Sequence, residues 1–379
     1  MKKKAVSALA RAAVLLSVLS IGGVRAQSAV TLNFYSGGDV NVQDLWANNL
    51  IPMYKKVAPN VTINLVWSEH GAADQATFDR LAAAKKAGKV SGVDLWESGM
   101  VQQAGEAGMM AKIAASDVSN LSKVPPTIIQ QVGSYGLPYR GSSVVLAYNS
   151  KEVSSPPRSL PELFDWIKKN PGKFTYNTPD TGGSGHAFVE RVLMSGLPQD
   201  QIKTFQTEYK PEMVSAFDKG LATLKELDAS MYQNGFHPKG NVGTLQLLAK
   251  GNIRMGTVWS DMALSYLAQN LLPPEIKLVQ LEPPFSGGAA FLGVAADSPN
   301  KAQAMAFLNW LLTPEVQAVV INKMNGYPGV DWKYVPTETR TKFADIAKSY
   351  SIGFQERFGA DINKLWYEKI AGTPMPASK

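Results

Sequence analysis

The chain has 379 residues, of which 45% are hydrophobic and 18% charged, and it contains no cysteine. This length suffices for about two domains with a sizeable core, and the apolar fraction excludes a disordered chain. The lack of cysteine excludes disulfides, cysteine-ligated zinc, iron–sulfur clusters and a cysteine nucleophile.

The first 26 residues have the pattern of a cleavable signal peptide. A basic start at 2–4 precedes an apolar run at 12–21, which is too short to span a bilayer, and 24–26 have cleavage-site spacing. The segment holds five of the 38 basic residues and no acidic one, so its removal lowers the net charge from +7 to about +2. We therefore expect a periplasmic protein that is neither lipid-anchored nor embedded in the membrane, and no nucleic-acid binding by bulk charge.

Strand and helix patterns alternate from residue 30 onward. Apolar residues at strand spacing predict strands at Val30–Tyr35, Val61–Trp67 and Val93–Trp96. Helical spacing predicts helices at about 45–54 and 73–87 between them. Strands that alternate with helices form open sheets covered on both faces, so the pattern predicts an α/β fold with mostly parallel sheets.

A joint between two lobes is predicted near residues 136–148, where Ser143–Tyr148 is a continuous apolar strand, and again near 278–292. A helix start follows at Ser159, where Pro161 and Glu162 occupy the first turn, and a second alternating series runs from Phe174 to about Gln280. Further elements are predicted as strands at 173–176 and 253–258 and as helices at 187–194 and 212–227. We therefore predict two lobes joined by crossover strands, divided as follows: lobe 1 at 27–140, lobe 2 at 141–280, a return crossover completing lobe 1 at 281–330, and C-terminal helices packing on the lobes at 331–379.

Motifs for catalysis and metal binding are scarce. The three histidines, His70, His186 and His237, lack ligand spacing, and neither a phosphate-binding glycine loop nor a G-x-S-x-G sequence occurs. We therefore expect no metal and no cofactor. A carboxylate pair for glycoside hydrolysis can be far apart in sequence, so an exported glycoside hydrolase that uses Glu97 and Asp261 stays open as the alternative function.

Four predicted strands end in loops that combine an aromatic ring with polar or acidic side chains. The loops are Tyr35-Ser36-Gly37-Gly38, Trp67-Ser68-Glu69-His70, Trp96-Glu97-Ser98-Gly99 and Trp259-Ser260-Asp261. Ligands of open α/β sheets bind at the carboxyl ends of strands, where rings supply contact area and carboxylates supply hydrogen bonds. Each tryptophan by itself fits a core position equally well, but the four loops together predict a site for a small polar solute.

Several stretches resemble the family-1 solute-binding proteins of ABC importers, and together they cover most of the mature chain. They are GLPYRGSSVVLAYNSK at 136–151, PRSLPELFDWIKKNPGKFTYNTPDTGGSGHAFV at 157–189, IRMGTVWSD at 253–261 and AFLGVAADSPNKAQAMAFLNWLLTPEVQ at 290–317. The resemblance implies a two-lobed periplasmic binding protein fold, type II-like, that closes around a solute and docks on the transmembrane subunits of a permease. It implies ligand contacts at Ser36–Gly38, Glu97–Ser98, Tyr139–Arg140, Ser184–Gly185 and Trp259–Asp261.

The predicted function is therefore a non-enzymatic, monomeric receptor for a small solute. Its predicted ligand-binding residues are Tyr35, Ser36, Gly37, Gly38, Trp67, Trp96, Glu97, Ser98, Tyr139, Arg140, Ser184, Gly185, Trp259, Ser260 and Asp261. Rings beside carboxylates suit an organic cation, such as a polyamine or thiamine-like amine, or a carbohydrate, and these two rank nearly level. Arg140 and the helix N-termini could instead hold an anion such as a phosphonate or carboxylate, which ranks third. The stretch around Tyr232 lacks the tyrosine pair of ferric-iron receptors, which argues against iron.

Overall fold

A computed structural model describes residues 29–69, 71–130, 132–343 and 350–376. The predicted signal peptide and His70 lie outside these residues. Within them, the strands are β1 Val30–Gly38, β2 Val61–Glu69, β3 Leu95–Glu97, β4 Leu137–Asn149, β5 Phe174–Thr175, β6 Met255–Trp259, β7 Ile276–Val279, β8 Gly287–Val294 and β9 Tyr327–Pro328.

The structure contains the predicted helices together with several that the sequence pattern did not predict. The α-helices are α1 Val40–Asp44, α2 Ile51–Val57, α3 Asp74–Ala87, α4 Val101–Glu106, α5 Pro126–Gln130, α6 Leu160–Lys169, α7 Gly183–Gly196, α8 Gln199–Thr207, α9 Asp218–Asp228, α10 Gly240–Ala249, α11 Ser260–Ala268, α12 Lys301–Leu311, α13 Pro314–Met324, α14 Thr337–Phe343 and α15 Phe358–Trp366. π-helical turns at Leu45–Leu50 and Tyr367–Ala371 extend α1 into α2 and α15 toward the C-terminus, and short 3₁₀ turns lie at Ser119–Lys123, Pro211–Phe217, Tyr232–Asn234 and Trp332–Tyr334.

The start of α6 shows how local sequence determines an element. The Ser159 hydroxyl accepts a hydrogen bond from the Glu162 backbone N–H at 3.4 Å, and the Glu162 carboxylate accepts one from the Arg158 N–H at 2.8 Å. These bonds satisfy donors that a helix start otherwise leaves unpaired. The predicted helix start at Ser159 is confirmed.

One long strand, β4, joins the two halves of the molecule. Its first half pairs with β8 and β9 in the sheet that holds β2, β1 and β3, and its second half pairs with β6 and β7 in the sheet that ends at β5. The chain therefore crosses from one sheet to the other along β4. The first predicted lobe boundary, after residue 140, falls inside β4, which runs without interruption from Leu137 to Asn149. The predicted lobe boundaries stay predictions.

The predicted parallel character of the sheets needs correction. β1 lies parallel to β2 and β3, and β5 lies parallel to β6, as alternating strands and helices predict. However, β8 is antiparallel to β3 and β4, and β4 is antiparallel to β6, β7 and β9. Both sheets are mixed because β4, which crosses between them, and β8 run antiparallel to their neighbours.

Two large hydrophobic clusters form the cores on either side of the crossing strands. One contains Phe34, Trp46, Tyr139 and Phe307, and the other contains Phe188 with residues of β5, α6 and α9. The C-terminal segment does more than cover a lobe. Its apolar side chains belong to the second cluster: Phe354, Phe358, Ile362, Trp366 and Ile370.

A helix that crosses a bilayer needs about 20 consecutive, mostly apolar residues. In the described part of the chain, no single helix is long and apolar enough. The pair α12 and α13 passes that test only when taken together, across a bend of 68°.

Candidate functional site

Two adjoining cavities, of about 620 and 370 Å³, lie between the two sheets. Both are lined by Gly38, Asp39, Arg140, Trp259 and the pair Ala289–Ala290, so they form one cleft. The cleft lies where β1 ends, over the crossing strands β4 and β8 and beside the N-termini of α7, α10 and α11. Strand ends and helix N-termini thus meet here, as at other α/β ligand sites.

Glycines allow the end of β1 to approach neighbouring backbone closely. A Cβ on Gly37 would lie 2.9 Å from the Gly71 Cα, closer than packed atoms come. Gly38 has a φ of +143°, which side-chain-bearing residues rarely adopt. Small residues are therefore required where β1 turns into the cleft and exposes Asp39.

A buried carboxylate, Glu97, organises the floor of the cleft. Its Oε2 accepts hydrogen bonds from the Ser36 hydroxyl at 2.6 Å and the Trp46 indole N–H at 3.0 Å. Its Oε1 accepts from the Tyr139 hydroxyl at 2.7 Å and from Nη2 of Arg140 at 3.3 Å. Four protein donors therefore engage the Glu97 oxygens, and the charge of Arg140 is already paired.

Arg140 lies between two acidic side chains. Burial disfavours its charged form, but Tyr139, Glu97 and Asp261 outweigh this effect and raise the pKa of Arg140 above its ordinary value. The Tyr139 pKa is also raised, chiefly by burial. Arg140 is therefore a fixed, permanently charged group that neutralises part of the surrounding negative charge.

Asp261 lies in the first turn of α11 and is buried. Its Oδ1 accepts a hydrogen bond from the Ser142 hydroxyl at 2.6 Å, and its Oδ2 accepts one from the Asn41 amide at 3.4 Å. Burial raises the pKa of Asp261, and Arg140 and Ser142 oppose that shift. The carboxylate is thus held in place, facing the smaller cavity, with part of its charge uncompensated.

Further carboxylates line the outer part of the cleft. Asp74 accepts hydrogen bonds from the Ser98 hydroxyl at 2.6 Å and the Trp96 indole at 3.4 Å, and burial raises its pKa. Glu356 reaches the cleft from the C-terminal segment, beside Gly99. Burial, and then the charge of Asp74, raise the Glu356 pKa. Each of these two groups resists ionisation chiefly because it is buried, and a neighbouring carboxylate adds to the effect.

The complete lining is strongly acidic. Its acidic and basic side chains are six carboxyl groups, one arginine and one histidine: Asp39, Asp74, Glu97, Asp180, Asp261, Glu356, Arg140 and His186. The Trp259 ring adds an aromatic surface, and it approaches Gly183 so closely that a Cβ there would lie 2.7 Å from the ring. Such a lining suits a solute that carries positive charge or many hydroxyl groups.

Comparison with known proteins identifies the family. A family profile described as bacterial extracellular solute-binding protein matches residues 49–339, well over half of the chain. The chain belongs to this family. It is therefore a solute-binding protein, a non-enzymatic receptor, and the glycoside hydrolase hypothesis is not retained. No curated protein matches the sequence.

Solved structures of solute-binding proteins share the fold. An ABC transporter substrate-binding protein from Bradyrhizobium japonicum is 20% identical, with a TM-score of 0.64 over 90% of this chain and 99% of that chain. The spermidine/putrescine transporter substrate-binding protein of Streptococcus pneumoniae is 12% identical, with a TM-score of 0.64 over 89% and 98%. A solute-binding protein from Thermotoga lettingae, bound with α-D-tagatose, is 16% identical, with a TM-score of 0.67 over 90% and 94%. The predicted periplasmic binding protein fold is confirmed.

The structure brings about half of the predicted ligand-binding residues of this solute-binding protein to the cleft. The residues that line it are Gly37, Gly38, Glu97, Ser98, Arg140, Trp259 and Asp261. Of the three tryptophans predicted at strand ends, only Trp259 is among them. Which of these side chains contact solute stays a prediction.

The other predicted aromatic residues pack within the lobe that contains β1. Trp96 is buried in a cluster with Val101, and Tyr35 packs on the same cluster with the Arg80 guanidinium 5.8 Å from its ring. Trp67 and Tyr139 pack with the larger cluster around Trp46. A ring at a strand end can cover either face of the sheet. Trp96 and Tyr139 are buried in the core, and Tyr35 and Trp67 are half-buried and pack against it.

The remaining predicted residues support the lining from behind. Ser36 donates to Glu97, and Ser260 lies 3.3 Å from Ser142, hydroxyl to hydroxyl. Ser184 is buried, and a Cβ on Gly185 would lie 1.8 Å from the Asn177 carbonyl oxygen, so the first turn of α7, which holds both residues, packs closely against Asn177. These small residues let the chain pass close to other backbone.

Several lining residues were not predicted from the sequence. Asp39 directly follows the Ser36–Gly38 turn, and Gly182–Gly183 directly precede the predicted Ser184–Gly185, so extending both loops by two residues would have included them. No local signal marks Asn241 or Glu356, which come from distant parts of the chain. Among the described residues, no group of three His, Asp or Glu side chains is arranged to hold a metal ion.

Proposed function

We propose that this solute-binding protein captures an organic cation in its cleft and delivers it to the transmembrane subunits of an ABC importer. The supporting observation is the charge of the lining, with six carboxylates and one arginine that is paired with Glu97 at 3.3 Å. A cationic solute would neutralise the excess negative charge, whereas an anion would add to it. The acidic lining therefore favours a cation over an anion.

Trp259 supports the same class of solute. Its ring lines both cavities, together with Asp39 and Arg140. A cation over an indole face gains about 0.5–2 kcal/mol beyond its charge pairing, with the larger values where water is excluded. A receptor that scavenges and then releases its solute needs roughly micromolar affinity, about 8 kcal/mol, so charge pairing and other contacts must supply most of the binding free energy.

A carbohydrate is the second candidate solute. Trp259 could stack against a sugar ring, and Asn241 and the carboxylates could bond to its hydroxyls. Relatives of this fold include both a spermidine/putrescine protein and one bound with tagatose, so the fold does not select the solute class. We rank the cation first because hydroxyl recognition does not require an excess of buried negative charge.

The proposed mechanism is closure of two lobes around the solute in the periplasm. Asp39 comes from the end of β1, whereas Trp259 and Asp261 come from β6 and α11 on the other side of the crossing strands. A solute that contacts both sets of residues favours the closed arrangement, because only there can all contacts form together. The closed, monomeric receptor would then dock on the permease.

Titration calorimetry with the purified protein tests the solute class. The panel contains alkyl diamines, quaternary ammonium compounds, neutral monosaccharides and dicarboxylates, each at low and at high salt. We expect micromolar binding of at least one amine, weakened by salt and about tenfold weaker in Asp261→Asn, since 1.4 kcal/mol of lost charge pairing is a factor of ten. Glu226→Gln, which changes an exposed carboxylate far from the cleft, is the control. Binding of sugars alone would refute the cationic solute but not the receptor.

A further inference from the structure

A direct hydrogen bond spans the cleft between Asn241 and Asp39. The Asn241 amide, at the N-terminus of α10, donates to Oδ2 of Asp39 at 2.9 Å. Asp39 immediately precedes α1 and follows β1, whereas α10 packs beside β6. The bond therefore joins elements that lie on opposite sides of the crossing strand β4.

The orientation of the Asn241 amide is fixed from behind. Its Oδ1 accepts a hydrogen bond from the Ser184 backbone N–H at 3.1 Å. The Ser184 hydroxyl lies 2.9 Å from the same Oδ1 and 2.6 Å from Oδ1 of Asn177, and its one proton is shared between these two acceptors. A donor on that side requires the oxygen there, so the NH₂ group must face Asp39. Asn241 is buried, with 4% of its surface exposed, which leaves little freedom for its side chain to turn away.

A second hydrogen bond crosses the cleft in the opposite sense. The Asn41 amide, on α1, donates to Oδ2 of Asp261, on α11, at 3.4 Å. In this pair the side of β1 supplies the amide and the other side supplies the carboxylate, the reverse of the Asp39–Asn241 pair. Both carboxylates also line the cleft, so the groups that join the two sides are part of the solute site.

We propose that the Asp39–Asn241 hydrogen bond, assisted by Asn41–Asp261, is an interlobe latch that stabilises the closed cleft through contacts of the protein with itself. Asn241 then acts as a positioning residue that sets how much of the protein is closed. Its influence on affinity rests on the proposed function, because a receptor binds in proportion to its binding-competent fraction. Its influence on the free protein does not depend on which solute is bound.

The substitution Asn241→Asp isolates the latch. It keeps an oxygen for Ser184 and almost the same volume, but it removes the donor to Asp39 and sets two carboxylates against each other. The added negative charge by itself favours a cationic solute, so weaker binding of an amine would report the lost latch. A charge-assisted hydrogen bond lost in this way predicts about tenfold weaker binding.

The double variant Asp39→Asn/Asn241→Asp is the matched rescue. It places the amide at position 39 and the carboxylate at position 241, so the same bond forms with donor and acceptor exchanged and the net charge unchanged. Asn48→Asp is the control, since its amide donates to Asp44 at 2.7 Å within one helical segment. That control sets two carboxylates together without involving the cleft.

Spin labels measure closure without any solute. The chain has no cysteine, so labels attach only at the introduced pair Gln43→Cys and Gln246→Cys, at exposed positions on α1 and α10. We expect Asn241→Asp to shift the distance distribution of the free protein to longer values, and the double variant to restore it. The control Asn48→Asp should leave the distribution unchanged.

Two results would overturn the latch. One is a free-protein distance distribution in Asn241→Asp that equals that of the parent, and the other is a double variant that stays as open as the single one. Calorimetry with an alkyl diamine then tests the link to affinity. If no amine binds to the parent while the distances respond as expected, the solute assignment fails and the latch stands.

Discussion

The buried carboxylate of Glu97 offers the sharpest test of how the cleft floor is held together. Glutamine at this position keeps the volume but offers one acceptor oxygen where the carboxylate has two. If the new NH₂ group takes the place of Oε2, it faces the Trp46 indole N–H, and if it takes the place of Oε1, it faces the Arg140 guanidinium. Neither partner can accept a hydrogen bond, so one donor is left facing another.

The magnitude follows from these contacts. A buried donor left without an acceptor costs about 1–3 kcal/mol. Removing one partner of a buried ion pair costs about 3–5 kcal/mol, but Asp261 still attracts Arg140, whose side chain is 15% exposed, so a smaller part applies. We expect Glu97→Gln to lower the free energy of unfolding by about 3 kcal/mol.

Urea unfolding followed by circular dichroism measures this change, with Glu226→Gln as the control. Glu226 pairs with Lys168 at 2.7 Å on the exposed surface, and such pairs contribute roughly 0–1 kcal/mol. The midpoint for Glu97→Gln should therefore fall well below those of the parent and the control. If both variants unfold within about 0.5 kcal/mol of the parent, the four-donor carboxylate is not a structural centre and the reasoning is wrong.

Three further predictions concern the ring, pH and a buried glycine. Trp259→Ala should weaken amine binding about tenfold in calorimetry, whereas Trp67→Ala, outside the cleft, should leave affinity nearly unchanged. Amine affinity should fall as pH drops through the raised pKa values of Asp74 and Asp261, starting above the ordinary 3.8 of aspartate, because the cation binds only the ionised carboxylates. Over the same pH range these two groups should make the free protein more stable, because they take up protons in the folded state before they do so in the unfolded state. A sugar titration that shows the same pH profile would contradict the cationic solute. Gly185→Ala, with a Cβ 1.8 Å from the Asn177 carbonyl oxygen, should cost about 3 kcal/mol in thermal unfolding, while Gly288→Ala, with no atom within 4 Å, should be nearly neutral.

The order and type of the elements could be predicted from local pattern. The strands at β1, β2 and β6 and the helices α3, α6 and α7 all lie where apolar spacing and helix-start residues predict them, within a few residues. Apolar spacing and helix-start residues depend only on neighbours along the chain, so they can be recognised without knowledge of the fold. The position of Trp259 and Asp261 at a strand–helix junction follows from the same reasoning.

The use of each strand-end residue could not be predicted in that way. Trp96 and Trp259 occupy equivalent places at the ends of strands, yet Trp96 is buried within one lobe and Trp259 lines the cleft. Glu97 was predicted to contact solute, but its oxygens accept four hydrogen bonds from the protein. Which face of a sheet a ring covers depends on what packs there, and that is decided by distant segments.

The amino-acid sequence by itself determines an α/β chain with alternating strands and helices, strand ends rich in aromatic and acidic groups, and no thiol chemistry. The tertiary structure alone decides that Asp39, Asn241 and Glu356 meet at one cleft, although 202 residues separate the first two. The reason is that residues remote in sequence become neighbours only when the crossing strand β4 brings two sheets face to face. The spacing of apolar residues in helices and strands does not predict how the two sheets pack against each other. That packing brings the carboxylates together, and their excess negative charge determines which solutes the cleft favours.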